Sequence, residues 1–167
     1  YYNLVFSQGV QNYVERAKEV GVDGLLTLDL PPEEAEELLE ASRELAIKNI
    51  FIIAPTTPKS RIPVIIKAAS GFIYYVSREG VTGERDDLAG DLVERVEAIR
   101  EHTELPVVVG FGISNANQVK EVAQASDGVV VGSALVNCIS RNLADPDLAV
   151  KQIGEKAAEL AGALGLE

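Results

Sequence analysis

Short apolar runs alternate with helix-patterned segments along almost the whole sequence. The runs are nearly continuous in apolar residues, which is typical of strands buried on both faces of a parallel sheet. The segments between them place apolar residues three and four positions apart, the spacing of an amphipathic helix. Strict strand–helix alternation requires crossover connections, so the sequence predicts an α/β fold. The predicted strands are 24–28, 50–54, 72–76, 106–110 and 128–131, and the predicted helices are 8–20, 32–46, 59–69, 90–102, 115–124, 133–140 and 147–163.

The composition predicts a single folded domain over residues 1–167. Hydrophobic residues make up 47% and charged residues 25% of the chain, so a core of ordinary size is possible. The formal net charge of -11 argues against nucleic acid and anionic membranes as partners. One small phosphate can still bind where the local field is positive.

Cysteine and histidine are scarce, with Cys138 and His102 as the sole representatives. We therefore expect no disulfide, no metal site and no bound cofactor, and we interpret both residues as structural. No apolar run is long enough for a bilayer span, and no signal peptide is legible before the first strand. The expected location is the cytoplasm.

Two architectures fit five such units: a flavodoxin-like doubly wound sheet, or the later part of an eight-stranded barrel. The length favours the doubly wound sheet. The glycines favour the barrel, because a doubly wound phosphate binder carries its glycine-rich turn after the first strand. Here the glycine-rich turns follow the last three strands.

Two of those turns have the composition of a phosphate site. Gly112 lies in GFGIS, before a helix that Ser114 or Asn115 is expected to cap, and Gly132–Ser133 opens a short extra helix. Glycine lets backbone N–H groups approach an anion closely, and a helix N-terminus adds partial positive charge. Barrel enzymes often bind phosphate after strands seven and eight in this manner. The alternative is that these are ordinary strand-to-helix turns.

The connection 77–90, SREGVTGERDDLAG, is longer than the others and contains three glycines. Long connections in compact domains are commonly lids, so we expect a lid here, with a solvated surface loop as the alternative. Tyr74 and Tyr75 precede it in one strand and point to opposite faces. We expect Tyr74 to face the site and Tyr75 to pack in the core.

Asp29 follows the first predicted strand, at the end where barrel enzymes hold their chemistry. It is the best single candidate for a catalytic carboxylate. The alternative is a turn or helix-capping role, which is common for an aspartate before a proline-rich helix start.

Six segments, YYNLVFSQG, GVDGLLTLDLPPEE, IFIIAPTTP, GFIYYVSREGVTG, GFGIS and VVVGSALV, resemble the tryptophan synthase alpha chain family. The likeness runs through nearly the whole chain in unbroken order. It implies a (β/α)8 TIM barrel, of which this chain holds the C-terminal five βα units, strands four to eight. It also implies a lyase of tryptophan biosynthesis that cleaves indole-3-glycerol phosphate into indole and glyceraldehyde 3-phosphate. The implied partner is a pyridoxal-phosphate beta chain in an α2β2 complex.

The resemblance also implies roles for individual residues. The residues that would hold the substrate phosphate are Gly83, Gly112, Gly132 and Ser133. Those that would line the indole pocket are Tyr1, Leu26, Ile52, Tyr74, Thr82 and Phe111. Residues 78–91 would form the closing lid, and residues 29–34 and 55–59 would lie near the beta-chain surface.

In that family the acid/base glutamate and the indole-orienting aspartate precede the position of Tyr1, so no residue here is assigned as catalytic. The chain alone is expected to bind substrate without turning it over, and its open sheet edges are expected to need a further N-terminal piece or self-association. Two alternatives stay open: another sugar-phosphate barrel isomerase, and a non-catalytic phosphate-binding or scaffold module with a flavodoxin-like sheet.

Overall fold

The computed structural model of the chain describes residues 1–77, 87–110 and 112–165. The strands are β1 Gly24–Leu26, β2 Lys48–Ile53, β3 Ile73–Val76, β4 Val107–Gly110 and β5 Gly128–Val130. The α-helices are α1 Tyr2–Phe6, α2 Val10–Glu19, α3 Glu36–Glu44, α4 Ile62–Ala68, α5 Asp87–Arg100, α6 Ala116–Ala123, α7 Ser133–Ser140 and α8 Pro146–Gly162. Short 3-10 turns at Pro32–Glu34 and Lys59–Arg61 lead into α3 and α4.

The chain groups into two compact units. The first unit holds residues Tyr1–Tyr75 and Ile99–Val107, and the second holds Val76–Ala98 and Val108–Glu167. Strands β3 and β4 contribute residues to both units. The single domain expected over 1–167 stays a prediction.

The strands form a sheet in the order β1-β2-β3-β4-β5, which follows the chain. β1 pairs with β2 in parallel, and β2 pairs in parallel with β3. In the second unit β4 and β5 are also parallel, with Val109 opposite Val129. The predicted α/β fold is confirmed. The flavodoxin-like alternative is wrong, because that fold places its first strand between the second and third.

The two sheet faces of the first unit differ in exposure. Phe51, Ile53, Ile73 and Tyr75 are at most 9% exposed and share one face. The residues between them along the strands, such as Ile52 and Tyr74, are only half-buried. Side chains alternate along a strand, so one face is packed core and the other is only partly covered at Ile52 and Tyr74.

The second unit has its own apolar core. Val96, Val109 and Val119 are fully buried, and Val122 and Leu160 are nearly so. α7 and α8 pack together, and α6 contacts both β5 and α8. This packing holds the loops after β4 and β5, which carry the predicted phosphate residues.

The main departure from the sequence prediction is α1, which was not expected. Its N-cap residue, Tyr1, makes no side-chain capping bond, so nothing local announces the helix start. The helix predicted over 32–46 is instead a 3-10 turn followed by α3, and β1 ends two residues earlier than predicted. Within the described ranges, no helix has the length and apolar character needed to cross a bilayer.

Candidate functional site

The junction between β5 and α7 exposes the N-terminus of a helix. Gly132 is the N-cap residue, and its carbonyl accepts from the N–H groups of Leu135 at 3.0 Å and Val136 at 3.2 Å. Ser133 opens α7, and both Gly132 and Ser133 are exposed. The amides of Ser133 and Ala134 precede the first intrahelical bond, and no described side chain caps them.

This helix start is suited to an anion. Its first turn contains no acidic side chain, so the positive end of the helix dipole is not already compensated. A Cβ built on Gly132 would meet nothing within 4 Å, which shows open space at the backbone. The predicted Gly132–Ser133 pair therefore presents backbone N–H groups and a hydroxyl to whatever enters that space.

Three features define the loop between β4 and α6: a backbone conformation, a buried side chain and a helix cap. Gly112 adopts φ +70°, a left-handed conformation that favours glycine, and it is exposed. The next residue, Ile113, is 4% exposed and anchors the loop to the core. Asn115 caps α6 through a 3.0 Å bond that its side chain accepts from the Gln118 N–H, as one of the two predicted caps.

Gln118 also reaches back to the loop. Its side-chain Oε1 accepts from the Ser114 N–H at 2.8 Å and from the Ser114 hydroxyl at 3.2 Å. The Ser114 amide is therefore already used within the protein. The sequence interpretation missed this residue, although an N-cap asparagine followed three positions later by glutamine is a recognisable capping pattern.

In the first unit, three of the predicted indole-pocket residues share one sheet face. Ile52 and Tyr74 are opposite each other in the β2–β3 register, and Leu26 is opposite Ile50, two residues before Ile52. Leu26 is 42% exposed, and the other two are half-buried. Burial raises the pKa of the Tyr74 phenol above its ordinary value, so the phenol is neutral at physiological pH.

Tyr75 lies on the opposite face and is 4% exposed, so its predicted packing in the core is confirmed, whereas the orientation of Tyr74 toward a site stays a prediction. The face that carries Tyr74 is an apolar surface that Leu26 leaves partly open.

Asp29 contacts the first residue of α1, directly after Tyr1. Asp29 Oδ1 accepts from the backbone N–H of Tyr2 at 2.7 Å, and Tyr1 itself is 71% exposed. Asp29 is therefore a capping residue, as one interpretation proposed. The helix that it caps is α1, which precedes it by 27 residues, and not the helix that follows it.

The first segment predicted near a partner surface, 29–34, is joined by an ion pair to Arg61, two residues after the second segment, 55–59. The Arg61 guanidinium binds both carboxylate oxygens of Glu33, with Nη2 to Oε2 at 3.0 Å. This hydrogen bonding lowers the pKa of Glu33 and raises that of Arg61. The pair connects the turn after β1 to the turn after β2.

Several predicted positions lie outside the described residues: Thr82, Gly83, Phe111 and most of the proposed lid, residues 78–86. The last five positions of that segment, 87–91, belong to α5. His102 is exposed just after α5, and Cys138 is half-buried on α7 rather than fully buried. No cluster of three or more potential metal ligands occurs in the part of the chain that the structure describes.

Comparison with known proteins gives a consistent family assignment. The sequence model of the family described as "Tryptophan synthase alpha chain" matches residues 1–164. The alpha chain of Opitutus terrae is 59% identical over 164 residues, which cover 98% of this chain and 60% of that relative. The alpha chain of Methanothermobacter thermautotrophicus is 44% identical over 99% of this chain and 62% of its own length.

Solved structures agree with the sequence matches. The tryptophan synthase alpha subunit of Campylobacter jejuni has a TM-score of 0.83 and 37% identity, covering 93% of this chain and 62% of that one. A structure of the tryptophan synthase α2β2 complex of Pyrococcus furiosus has a TM-score of 0.83 and 38% identity, over 97% and 64%. The chain thus spans about 60% of the length of the curated relatives named here. The fold is that of five βα units of the barrel, as predicted.

Proposed function

This chain belongs to the tryptophan synthase alpha chain family, and from that premise we propose that it binds indole-3-glycerol phosphate for cleavage to indole and glyceraldehyde 3-phosphate. The observation that carries the proposal is the exposed start of α7, where Gly132 and Ser133 follow β5 with uncapped amides. An isolated helix start of this kind is common. A helix start at this position in a member of this family is what the phosphate of that substrate requires.

The phosphate contacts divide between backbone and side chain. The amides of Ser133 and Ala134 donate to phosphate oxygens, and the Ser133 hydroxyl adds a third donor. Gly112 lets the backbone approach the phosphate closely, because glycine has no side chain. Its left-handed conformation is one that glycine adopts readily. Gly83 is proposed as a further contact on family resemblance alone.

The indole ring is proposed to lie on the apolar face that carries Leu26, Ile52 and Tyr74. These residues offer aliphatic and aromatic contact area, and the neutral Tyr74 phenol adds a polar edge. Tyr1, Thr82 and Phe111 complete the set that the family implies.

Proton transfer requires groups that we do not assign to these 167 residues. Cleavage of the carbon–carbon bond needs protonation of indole C3 while a glycerol hydroxyl loses its proton, which is work for positioned carboxylates. Asp29 is not proposed for this role, because its Oδ1 is engaged by the Tyr2 N–H. Binding without these carboxylates does not stabilise the transition state selectively, so we propose that the chain alone is a binder and not a lyase.

The proposed partner is a tryptophan synthase beta chain, as in the α2β2 complex of the Pyrococcus relative. Residues 29–34 and 55–59 are the proposed contact segments, and the ion pair of Glu33 with Arg61 ties the first segment to the turn Lys59–Arg61, which begins at the last residue of the second. The proposed location is the cytoplasm, where tryptophan biosynthesis takes place.

The experiment uses Gly132→Asp with Gly132→Ala as its matched control. A side chain at position 132 meets open space and φ is -117°, so neither change strains the backbone. The aspartate places a negative charge beside the α7 amides, and the alanine does not. We expect Gly132→Asp to abolish saturable binding of indole propanol phosphate by calorimetry, while Gly132→Ala and the thermal midpoints change little. Equal binding by both variants would refute the proposal.

A further inference from the structure

Gln118 is a nearly buried polar residue, 4% exposed, whose side chain serves the loop that the proposed phosphate site uses. It accepts both hydrogen bonds that Ser114 offers, from the backbone N–H and from the hydroxyl. Its own backbone N–H donates to the Asn115 side chain. The side chains of Asn115 and Gln118 thus each accept a backbone N–H at the start of α6, from Gln118 and from Ser114 respectively.

This arrangement of hydrogen bonds differs from the usual capping box in one respect. In the usual form, the side chain at the third helical position returns to the N–H of the N-cap residue. Here Asn115 is the N-cap residue, and the Gln118 side chain returns to Ser114, one residue before the N-cap. The residue that Gln118 holds is consequently Ser114, two positions after Gly112.

Residues 112–114 are therefore constrained at every position. Gly112 holds a left-handed backbone, Ile113 is buried, and Ser114 donates twice to Gln118. A loop held in this way keeps its backbone orientation without a ligand, which reduces the entropy lost on binding.

The charge of the acceptor distinguishes glutamine from its closest substitute. Glutamate is the common alternative at this capping position, and its carboxylate accepts the same two bonds. It would also place a negative charge next to the loop that receives a phosphate dianion. Because Gln118 itself is nearly buried, that repulsion is only partly screened by water, and we expect a loss of about tenfold in affinity.

We propose that Gln118 is a positioning residue of the phosphate loop, selected as a neutral acceptor that fixes Ser114 without repelling the anion. This inference rests on the proposed function, since it concerns the same phosphate. Gln118 belongs to α6, and its side chain is not proposed to touch the substrate. The proposed role is therefore confined to holding Ser114.

The test is Gln118→Glu, with Gln124→Glu as a matched control at the opposite, exposed end of α6. Both variants change the net charge equally. The probes are indole propanol phosphate and sulfate, measured by calorimetry on the full chain. We expect Gln118→Glu to bind each probe at least about tenfold more weakly and Gln124→Glu to bind like the unmodified protein.

Two further readouts separate charge from structural damage. Sulfate keeps its charge from pH 7 down to about pH 3.5, which lies below the ordinary pKa of a glutamate carboxyl, so we expect its binding to Gln118→Glu to recover there as the new carboxyl takes up a proton. Gln118→Met removes the acceptor without adding charge, and we expect a smaller loss that acid does not reverse. Unaltered binding by Gln118→Glu, or a loss that Gln118→Met matches at both pH values, would overturn the inference. Failure of the unmodified chain to bind either probe would instead count against the proposed function.

Discussion

The carboxylate of Asp29 caps helix α1 by accepting the Tyr2 N–H at 2.7 Å, across 27 residues of sequence. The helix has no side-chain cap of its own, since its N-cap residue is Tyr1. An anionic acceptor at a helix N-terminus satisfies an orphan donor and interacts favourably with the dipole. The turn after β1 is thereby tied to the first residue of α1.

Removing this cap is expected to loosen the N-terminal segment. Asp29→Ala should lower the free energy of unfolding by about 0.5–2 kcal/mol, the usual cost of losing a helix cap. Asp29→Asn keeps an acceptor oxygen and should lose less. Urea unfolding followed by circular dichroism measures both, and equal stability of the alanine variant and the unmodified chain would show that the bond contributes nothing.

The same bond shows what the sequence could and could not reveal. Helix α2 was predicted from apolar spacing, because Val10, Val14 and Ala17 form its buried face. Helix α1 was missed because its cap lies at Asp29, and no local pattern in Tyr2–Phe6 identifies a start. Periodicity predicts elements stabilised by their own burial, whereas a cap supplied from elsewhere in the chain appears only in three dimensions.

The candidate site divides in the same way. Gly112, Gly132 and Ser133 were identifiable because turn glycines after parallel strands form a local pattern. The shared face of Ile52 and Tyr74 required the strand register, which the sequence leaves open. The two hydrogen bonds that Ser114 donates to Gln118 were missed, although the capping pattern that signals them, Asn115 followed three residues later by Gln118, can be read from the sequence.

The ion pair between Glu33 and Arg61 should be detectable in the titration of the Glu33 carboxyl group. The hydrogen bonds from Arg61 lower the pKa of Glu33, so the stabilisation is complete above the unfolded pKa and is lost as the pH falls through the folded pKa. In Arg61→Gln, we expect the carboxyl pKa of Glu33 to rise toward its ordinary value, measured by NMR. Salt should also raise it in the unmodified chain, since both groups are exposed.

Lys59→Gln is the matched control, because it removes a positive charge from the same short turn without touching Glu33. A pKa of Glu33 that is the same in the Arg61→Gln variant as in the unmodified chain would contradict the assigned cause.

Tyr74 provides a test of the apolar face. Tyr74→Ala should weaken the binding of indole propanol phosphate by about 2- to 12-fold, equivalent to about 0.5–1.5 kcal/mol of aromatic contact. Tyr74→Phe retains the ring and should bind nearly as the unmodified chain does. Sulfate affinity, as an internal control, should be unchanged in both variants. A ligand affinity indifferent to Tyr74→Ala would place the indole ring elsewhere.

Core packing of the first unit is tested at Ile73, which is fully buried on the packed face of the sheet. Ile73→Ala should cost about 2–5 kcal/mol of unfolding free energy, because it removes buried methyl groups and leaves a cavity. As a comparison in the second unit, Ile139 is 45% exposed, and Ile139→Ala should change stability by no more than about 0.5 kcal/mol. Denaturant midpoints for the two variants that coincide would contradict the described burial.

The central claim is that the amides at the start of α7 capture the substrate phosphate, and backbone NMR tests it most directly. In a ¹⁵N–¹H titration of the ¹⁵N-labelled chain with indole propanol phosphate, the account predicts large saturable shifts at Ser133 and Ala134, with a smaller shift at Gly112. Ser114 should move little, because its N–H is bound to Gln118. Saturable shifts confined to other parts of the chain, with Ser133 and Ala134 unmoved, would contradict the account.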